Sequence, residues 1–176
     1  KLAQLLAYGA RVFKVMGTYD QAYRLCMQAC SRFGWYNRNA AVNPYLVEGK
    51  KTGGLEVAEQ CLDDPPTWIA ASVGDGCSIA GVWKGIRTMK ELGLTNWTAR
   101  MLGVQAEGVA PITAAFASGR LDRAGAGDTY ADSINCPVPR NWRKAVNAGR
   151  ESGGTYINVA DDDIRRAVLE TGRLTG

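Results

Sequence analysis

The most constraining stretch of this chain is Thr67 to Val73, seven mostly apolar residues that run directly into Gly74-Asp75-Gly76 and then into a helical pattern from Ser78 to Leu92. Side chains that are apolar at odd and even positions alike suit a strand buried on both faces, as in a parallel sheet. In the helix that follows, Ile79, Val82, Trp83 and Ile86 fall on one face and Lys84, Arg87, Lys90 and Glu91 on the other, and Gly93 stops it. A strand, a glycine turn and an amphipathic helix in immediate succession form a βα unit, and such units build layered α/β domains.

The same alternation recurs along the chain. Ala10 to Val15 reads as a strand. Thr18 with Gln21 three residues on reads as a capping box, opening a helix whose Tyr19, Ala22, Tyr23, Cys26, Cys30 and Phe33 share a face and which ends at Gly34. Trp35 to Val42 is polar, with a short strand at best. Asn43-Pro44 is a cap followed by a first-turn proline, opening a helix through about Leu62. After the Asp63-Asp64-Pro65-Pro66 break and the central βα unit come a strand at Arg100 to Gln105 and a helix at Pro111 to Ala117. An irregular glycine-rich stretch from Ser118 to Pro139 precedes a helix at Arg140 to Gly149, a strand at Thr155 to Val159 and a helix at Asp161 to Thr171. The pattern predicts a three-layer αβα fold with a mainly parallel sheet. Residues 1–42 are expected to be the C-terminal part of a smaller α/β domain or its junction, and 43–176 the main part of a large domain, truncated at both ends. Lys1 is followed at once by Leu2, Leu5 and Leu6 at helical spacing, and Leu174-Thr175-Gly176 ends a helical pattern. Both ends read as cut, so a fragment of a longer protein is expected.

Composition removes several chemistries. There is no histidine, which excludes imidazole bases, Ser-His and Cys-His nucleophile pairs and histidine-ligated zinc. The net charge of +4 is too small and too scattered for a nucleic-acid partner. No run approaches the length of a membrane span. The five cysteines include no CxxC pair and fit a reduced, cytoplasmic setting; Cys26 and Cys30, four apart, read as small core residues.

The 21 glycines among 176 residues stand well above the usual share of about 7%, and their placement after the central strand matters most. Val73-Gly74-Asp75-Gly76-Cys77-Ser78 brings free amides to a helix start, where the macrodipole adds roughly half a positive charge and glycines let backbone approach a ligand. Ser78 offers a hydroxyl donor. The segment suits one phosphate group; the same glycines equally serve a plain βα turn. It is no dinucleotide fingerprint, because Ile79 stands where a third glycine is needed and the next strand ends in Gln105, not an acid. It also lacks the Gly-Lys-Ser/Thr ending of a P-loop. Lys50 and Lys51 are read as solvated helix-surface lysines, and Arg140, Arg143 and Lys144 beside Trp142 as a solvated face. Asp161-Asp162-Asp163 is read as a match to a helix dipole, with no metal implied. Glu107, just past a strand end, is the best-placed carboxylate.

Taken together, these segments resemble threonine synthase and its relatives among pyridoxal-phosphate enzymes of the tryptophan-synthase-β type. The matching pieces are Asn43-Pro44 with Glu48-Gly49-Lys50-Lys51-Thr52, Ser72 to Gly76 leading to Gly81-Val82-Trp83-Lys84-Gly85, and Gln105-Ala106-Glu107-Gly108. Ala131-Asp132-Ser133-Ile134 and Glu151-Ser152-Gly153-Gly154 complete the set. The resemblance implies a pyridoxal 5'-phosphate cofactor whose phosphate is lined by Gly74, Asp75, Gly76, Cys77 and Ser78. It implies a Schiff-base lysine lying before residue 1, so that no catalytic residue is expected in this chain, which alone is expected to be inactive. It also implies a homodimeric parent, a phosphorylated amino-acid substrate near Arg38 and Asn43, and conversion of O-phosphohomoserine and water to threonine and phosphate. Ala41 and Leu46 stand where some threonine synthases place a Ser and an Arg for the substrate phosphate, and Cys77 stands where relatives often have Gly or Asn. Those departures keep a sister activity, such as cysteate synthase or an amino-acid ammonia-lyase, in view, alongside a non-catalytic phosphate or nucleotide-binding module.

Overall fold

A computed structural model describes residues 2–122 and 127–176; of the irregular stretch after Ser118, residues 123–126 lie outside that description. The chain divides into two compact units, Lys1–Asn37 and Arg38–Gly176.

The first unit is helical. Its helices are α1 (Leu2–Ala7) and α2 (Tyr19–Phe33). The capping box at the start of α2 is formed: Gln21 N donates to Thr18 Oγ1 at 3.3 Å and Thr18 N to Gln21 Oε1 at 2.8 Å. Gly34 closes the helix in the left-handed conformation. Ala10 to Val15, expected as a strand, is irregular. Its apolar residues supply the pattern but the unit supplies no neighbour: among the described residues it contains no other strand to pair with, and a lone strand leaves its amides unbonded. Trp35 to Val42 likewise forms no strand. No residue of α2 is buried, and Cys26 is exposed and Cys30 half-buried instead of lying in a core. Cys26, Phe13 and Phe33 line an open apolar groove of about 420 Å³.

The second unit is layered α/β. Its elements are α3 (Pro44–Gln60), β1 (Trp68–Ser72), α4 (Cys77–Glu91), β2 (Arg100–Ala106) and α5 (Pro111–Ser118). A 3₁₀ turn at Asp132–Ile134, α6 (Trp142–Glu151), β3 (Thr155–Val159) and α7 (Asp161–Thr175) follow. The three strands form a parallel sheet in the order β1-β2-β3, with Trp68 opposite Arg100 and Leu102 opposite Thr155. Helices α4, α5 and α6 cover one face, where Ile79, Ile86, Met101, Ile112, Val146 and Tyr156 make a continuous core. The Tyr156 hydroxyl donates to Ala145 O at 2.6 Å, tying β3 to α6, and burial pushes its phenol well above the ordinary tyrosine range.

Two details differ from expectation or escape it. Strand β1 is half-buried on one face only, through Ile69 and Ala71: it lies at the edge of the sheet, and Trp68, Ala70 and Ser72 on its other face are exposed. Its uniformly apolar sequence therefore records residues on both faces but cover on one. The second concerns α3, which packs against α4 through glycines. A Cβ on Gly54 would lie 2.2 Å from Val82 O, one on Gly81 2.4 Å from Lys50 Cβ, and one on Gly85 2.4 Å from Lys51 O. Backbone meets backbone there, closer than side chains permit. Gly81 faces Val47 and Lys50 while Gly85 faces Lys51 and Gly54, so the two helices run in the same direction and begin at the same end.

Candidate functional site

The turn after β1 is held at its root by side chains from elsewhere in the chain, and Ser78 at its far end is exposed. At the root, the side chain of Gln105, 1% exposed, donates through Nε2 to Val73 O at 3.0 Å. Its Oε1 accepts from Ile112 N at 2.8 Å and Thr113 N at 2.9 Å. The next residues are fixed laterally. The Asp75 carboxylate accepts from Arg140 N at 2.6 Å and from Asn141 Nδ2 at 2.5 Å, which turns the acid toward α6 and away from the mouth. Gly76 takes φ +94° as the cap of α4, a backbone geometry L side chains rarely adopt, and no side chain caps that helix. Cys77 is half-buried and Ser78 exposed.

The expectation that the glycines open the turn to a ligand needs correcting at Gly76. A Cβ there would meet Ala145 Cβ at 2.7 Å, Ile112 Cδ1 at 3.1 Å and Asn141 O at 3.2 Å. Its missing side chain makes room for α5 and α6, not for a guest. Gly74 is similar, with Ile134 Cα 3.1 Å from its would-be Cβ.

Electrostatics distinguish this helix start from the others at the carboxyl edge of the sheet, where α/β folds bind ligands. The first amides of α5 are taken by Gln105. The Asp75 carboxylate sits against the start of α6. The first turn of α7 carries Asp161, Asp162 and Asp163, which repel an anion. Helix α4 has no side-chain cap and no acid in its first turn. Helix α6 shares both features, but the residues just ahead of it, Arg140 and Asn141, are bonded to the Asp75 carboxylate, whereas α4 starts directly after a glycine turn, an arrangement that suits a phosphate.

The remaining expected residues divide between this end of the fold and purely structural tasks. Asn43 is buried, and its Oδ1 caps α3 by accepting from Tyr45 N at 3.1 Å. Because α3 and α4 begin at the same end, Asn43 shares that end with the turn. Arg38 is exposed. Glu107 is exposed, its backbone N donating to Val159 O at 2.9 Å. Lys84 and Lys51 both pair with Glu48, and the Lys84 ammonium is the main cause holding that carboxyl below its ordinary range. The Glu151-Ser152-Gly153-Gly154 segment works as a lock: Glu151 Oε2 accepts from Trp83 Nε1 and Arg87 Nη1, each at 2.9 Å, and Ser152 Oγ from Met101 N at 3.0 Å. No group of three or more potential metal ligands exists among the described residues, nor any helix long and apolar enough to cross a membrane.

Sequence reading saw the acids of α7 as a dipole match and missed their second task. Asp161 Oδ1 accepts from Thr129 Oγ1 at 2.6 Å and Oδ2 from Tyr130 N at 2.7 Å. This clasps the segment whose Ile134 lies against Gly74. No local signal announces it, since the partners are 32 and 31 residues apart. The Thr129 hydroxyl, then the Tyr130 amide, hold the Asp161 carboxyl below the ordinary aspartate value of 3.8. A carboxyl depressed by folding stabilises fully above its unfolded pKa and loses that contribution as pH falls through the folded one. Thermal melts between about pH 6 and 2 should therefore fall more steeply below roughly pH 4, near the unstructured aspartate value, in the native chain than in Asp161→Asn; parallel curves would contradict the clasp.

Comparison with known proteins places this geometry in a class. The family model described as pyridoxal-phosphate dependent enzyme matches residues 1–176: the chain belongs to that family. Its sequence is 39% identical over 178 residues to threonine synthase of Methanosarcina acetivorans, covering 100% of this chain and 44% of that protein. It is 36% identical over 167 residues to threonine synthase of Synechocystis, covering 95% and 42%. In structure it is similar to the processed form of threonine deaminase isoform 2 from Solanum lycopersicum, with TM-score 0.78 and 23% identity over 97% of this chain and 47% of that one. The chain thus spans less than half the length of the curated relatives it matches.

Proposed function

We propose that this chain forms the cofactor-phosphate end of a pyridoxal-phosphate-dependent enzyme of threonine-synthase type, which at full length converts O-phosphohomoserine and water to threonine and phosphate. The observation that carries the reading is the uncapped, acid-free start of α4 directly after a glycine turn, while Gln105 takes the first amides of α5 and three aspartates open α7. The backbone N–H groups of Gly74, Asp75, Gly76 and Cys77 and the amide and hydroxyl of Ser78 donate to the phosphate oxygens. The α4 dipole adds to the attraction, and Asp75 is kept from opposing it by its bonds to Arg140 and Asn141. When bound, the cofactor supplies an electron sink for carbanions on the substrate. In this reading Asn43 fixes the start of α3 at the same end, and Arg38 is the cation nearest in sequence for the substrate's phosphate. The resemblance to threonine synthases implies a Schiff-base lysine outside these residues; Lys51 and Lys84 pair with Glu48.

The test has two arms. Full-length protein supplied with O-phosphohomoserine should release phosphate and threonine in equal amounts. Release of ammonia and a 2-oxo acid from threonine, with O-phosphohomoserine left intact, would replace the threonine-synthase reading with that of an ammonia-lyase. In the 176-residue chain, Ser78→Ala should weaken binding of pyridoxamine 5'-phosphate by roughly tenfold, the worth of one hydrogen bond to a charged group. Titration calorimetry measures this, and an unchanged affinity removes Ser78 from the site.

A further inference from the structure

We infer that Gln105 is a positioning residue for the phosphate turn, a role that rests on the phosphate reading above and extends it to a side chain that touches no ligand. A glutamine at 1% exposure is costly to bury unless its amide is satisfied, and here both ends are. Its NH₂ donates to Val73 O, the last carbonyl before the turn, at 3.0 Å. Its carbonyl oxygen takes Ile112 N, Thr113 N and, at 3.4 Å, Thr113 Oγ1.

Two consequences follow from this single side chain. Helix α5 begins Ala110-Pro111 and has no side-chain cap of its own, so Gln105 Oε1 consumes the amides that would otherwise make a second anion site beside the first. Meanwhile Nε2 fixes the plane of the Val73–Gly74 peptide and so sets the direction in which the chain enters the cup. The same amide closes one helix start to anions and aims the other. An acid at this position would do only the first: it accepts from α5 but cannot donate to Val73 O.

That asymmetry supplies the experiment. Gln105→Glu keeps the acceptor for Ile112 and Thr113 and loses the donor to Val73. Gln105→Asn stays neutral and, one methylene shorter, cannot span both ends at once. Calorimetric titrations of the 176-residue chain would use pyridoxamine 5'-phosphate, pyridoxamine and inorganic phosphate, probes with no aldehyde to react with surface lysines. Native chain should prefer the phosphorylated amine over pyridoxamine, with inorganic phosphate competing. Both variants should lose at least tenfold of that preference while retaining their far-UV circular dichroism and their residual affinity for pyridoxamine. A folded variant with the preference intact overturns the proposal. Loss of the far-UV signal in both variants also overturns it, since Gln105 would then serve the fold as a whole. Absence of any preference in the native chain is a different result, and it defeats the phosphate reading itself.

Discussion

Replacing Gly76 by alanine should lower the unfolding midpoint of the chain by about 10 °C. At φ +94° a side chain costs roughly 1–2 kcal/mol in backbone strain. The new methyl would also lie 2.7 Å from Ala145 Cβ and 3.2 Å from Asn141 O, and overpacking of this kind costs about 1–3 kcal/mol more. In a protein of this size each kcal/mol is worth about 2–4 °C. A melt followed by circular dichroism checks the figure, and a shift under about 3 °C would mean that α5 and α6 yield more easily than their burial suggests. The result bears on how the site is tested. Since the space Gly76 leaves is filled by protein, reduced phosphate binding in Gly76→Ala would report a displaced turn and says nothing about direct contact. Ser78, exposed at the mouth, is the informative position.

The second large effect is expected at Gly85. A Cβ there would approach Lys51 O at 2.4 Å and Gly54 Cα and Leu55 N at 2.8 Å. All three are backbone atoms of α3, so no rotamer change relieves the clash. Gly85→Leu should push α3 off α4 at a cost of about 3 kcal/mol or more, the upper end of overpacking. Two readouts distinguish this from general destabilisation. Trp83, inward on α4, should show red-shifted fluorescence, and protease should cut at Lys50 or Lys51 under native conditions. Gly53→Ala is the matched control. Its Cβ meets nothing within 4 Å, and a glycine-to-alanine change inside a helix should raise stability by about 0.5–1 kcal/mol. Equal melting of Gly85→Leu and native chain would refute the close-packed account of the α3–α4 pair.

The fold of the second unit was legible wherever a local pattern fixed the element. Thr67 to Val73, Ser78 to Leu92 and Thr155 to Val159 carry their own local pattern and Asn43-Pro44 its own cap, as Thr18 with Gln21 does in the first unit; the structure places elements or caps at each. What failed needed a distant partner. Ala10 to Val15 has the composition of a strand, yet a strand exists only beside another, and the described residues of its unit provide none. Strand β1 was read as doubly buried because residue type reports what can be buried, not what covers it. At the candidate site the glycines and Ser78 were visible as a turn meeting a helix. The bonds that shape that turn were not. Gln105 was noticed only as the wrong residue for a dinucleotide site, and the partners of Asp75 and Asp161 lie far along the chain with no spacing rule to betray them.

The reach of those partners has a consequence during synthesis. Asp75 finds its acceptor role only with residues 65 and 66 positions downstream. On the ribosome the helix after the strand can form as soon as it emerges, whereas the strand waits for β2 and the turn between them stays unshaped until Arg140 and Asn141 have left the exit tunnel. A nascent chain stalled before that point would hold its helices and be blind to phosphate, and competence would arrive abruptly once residues 140 and 141 had emerged.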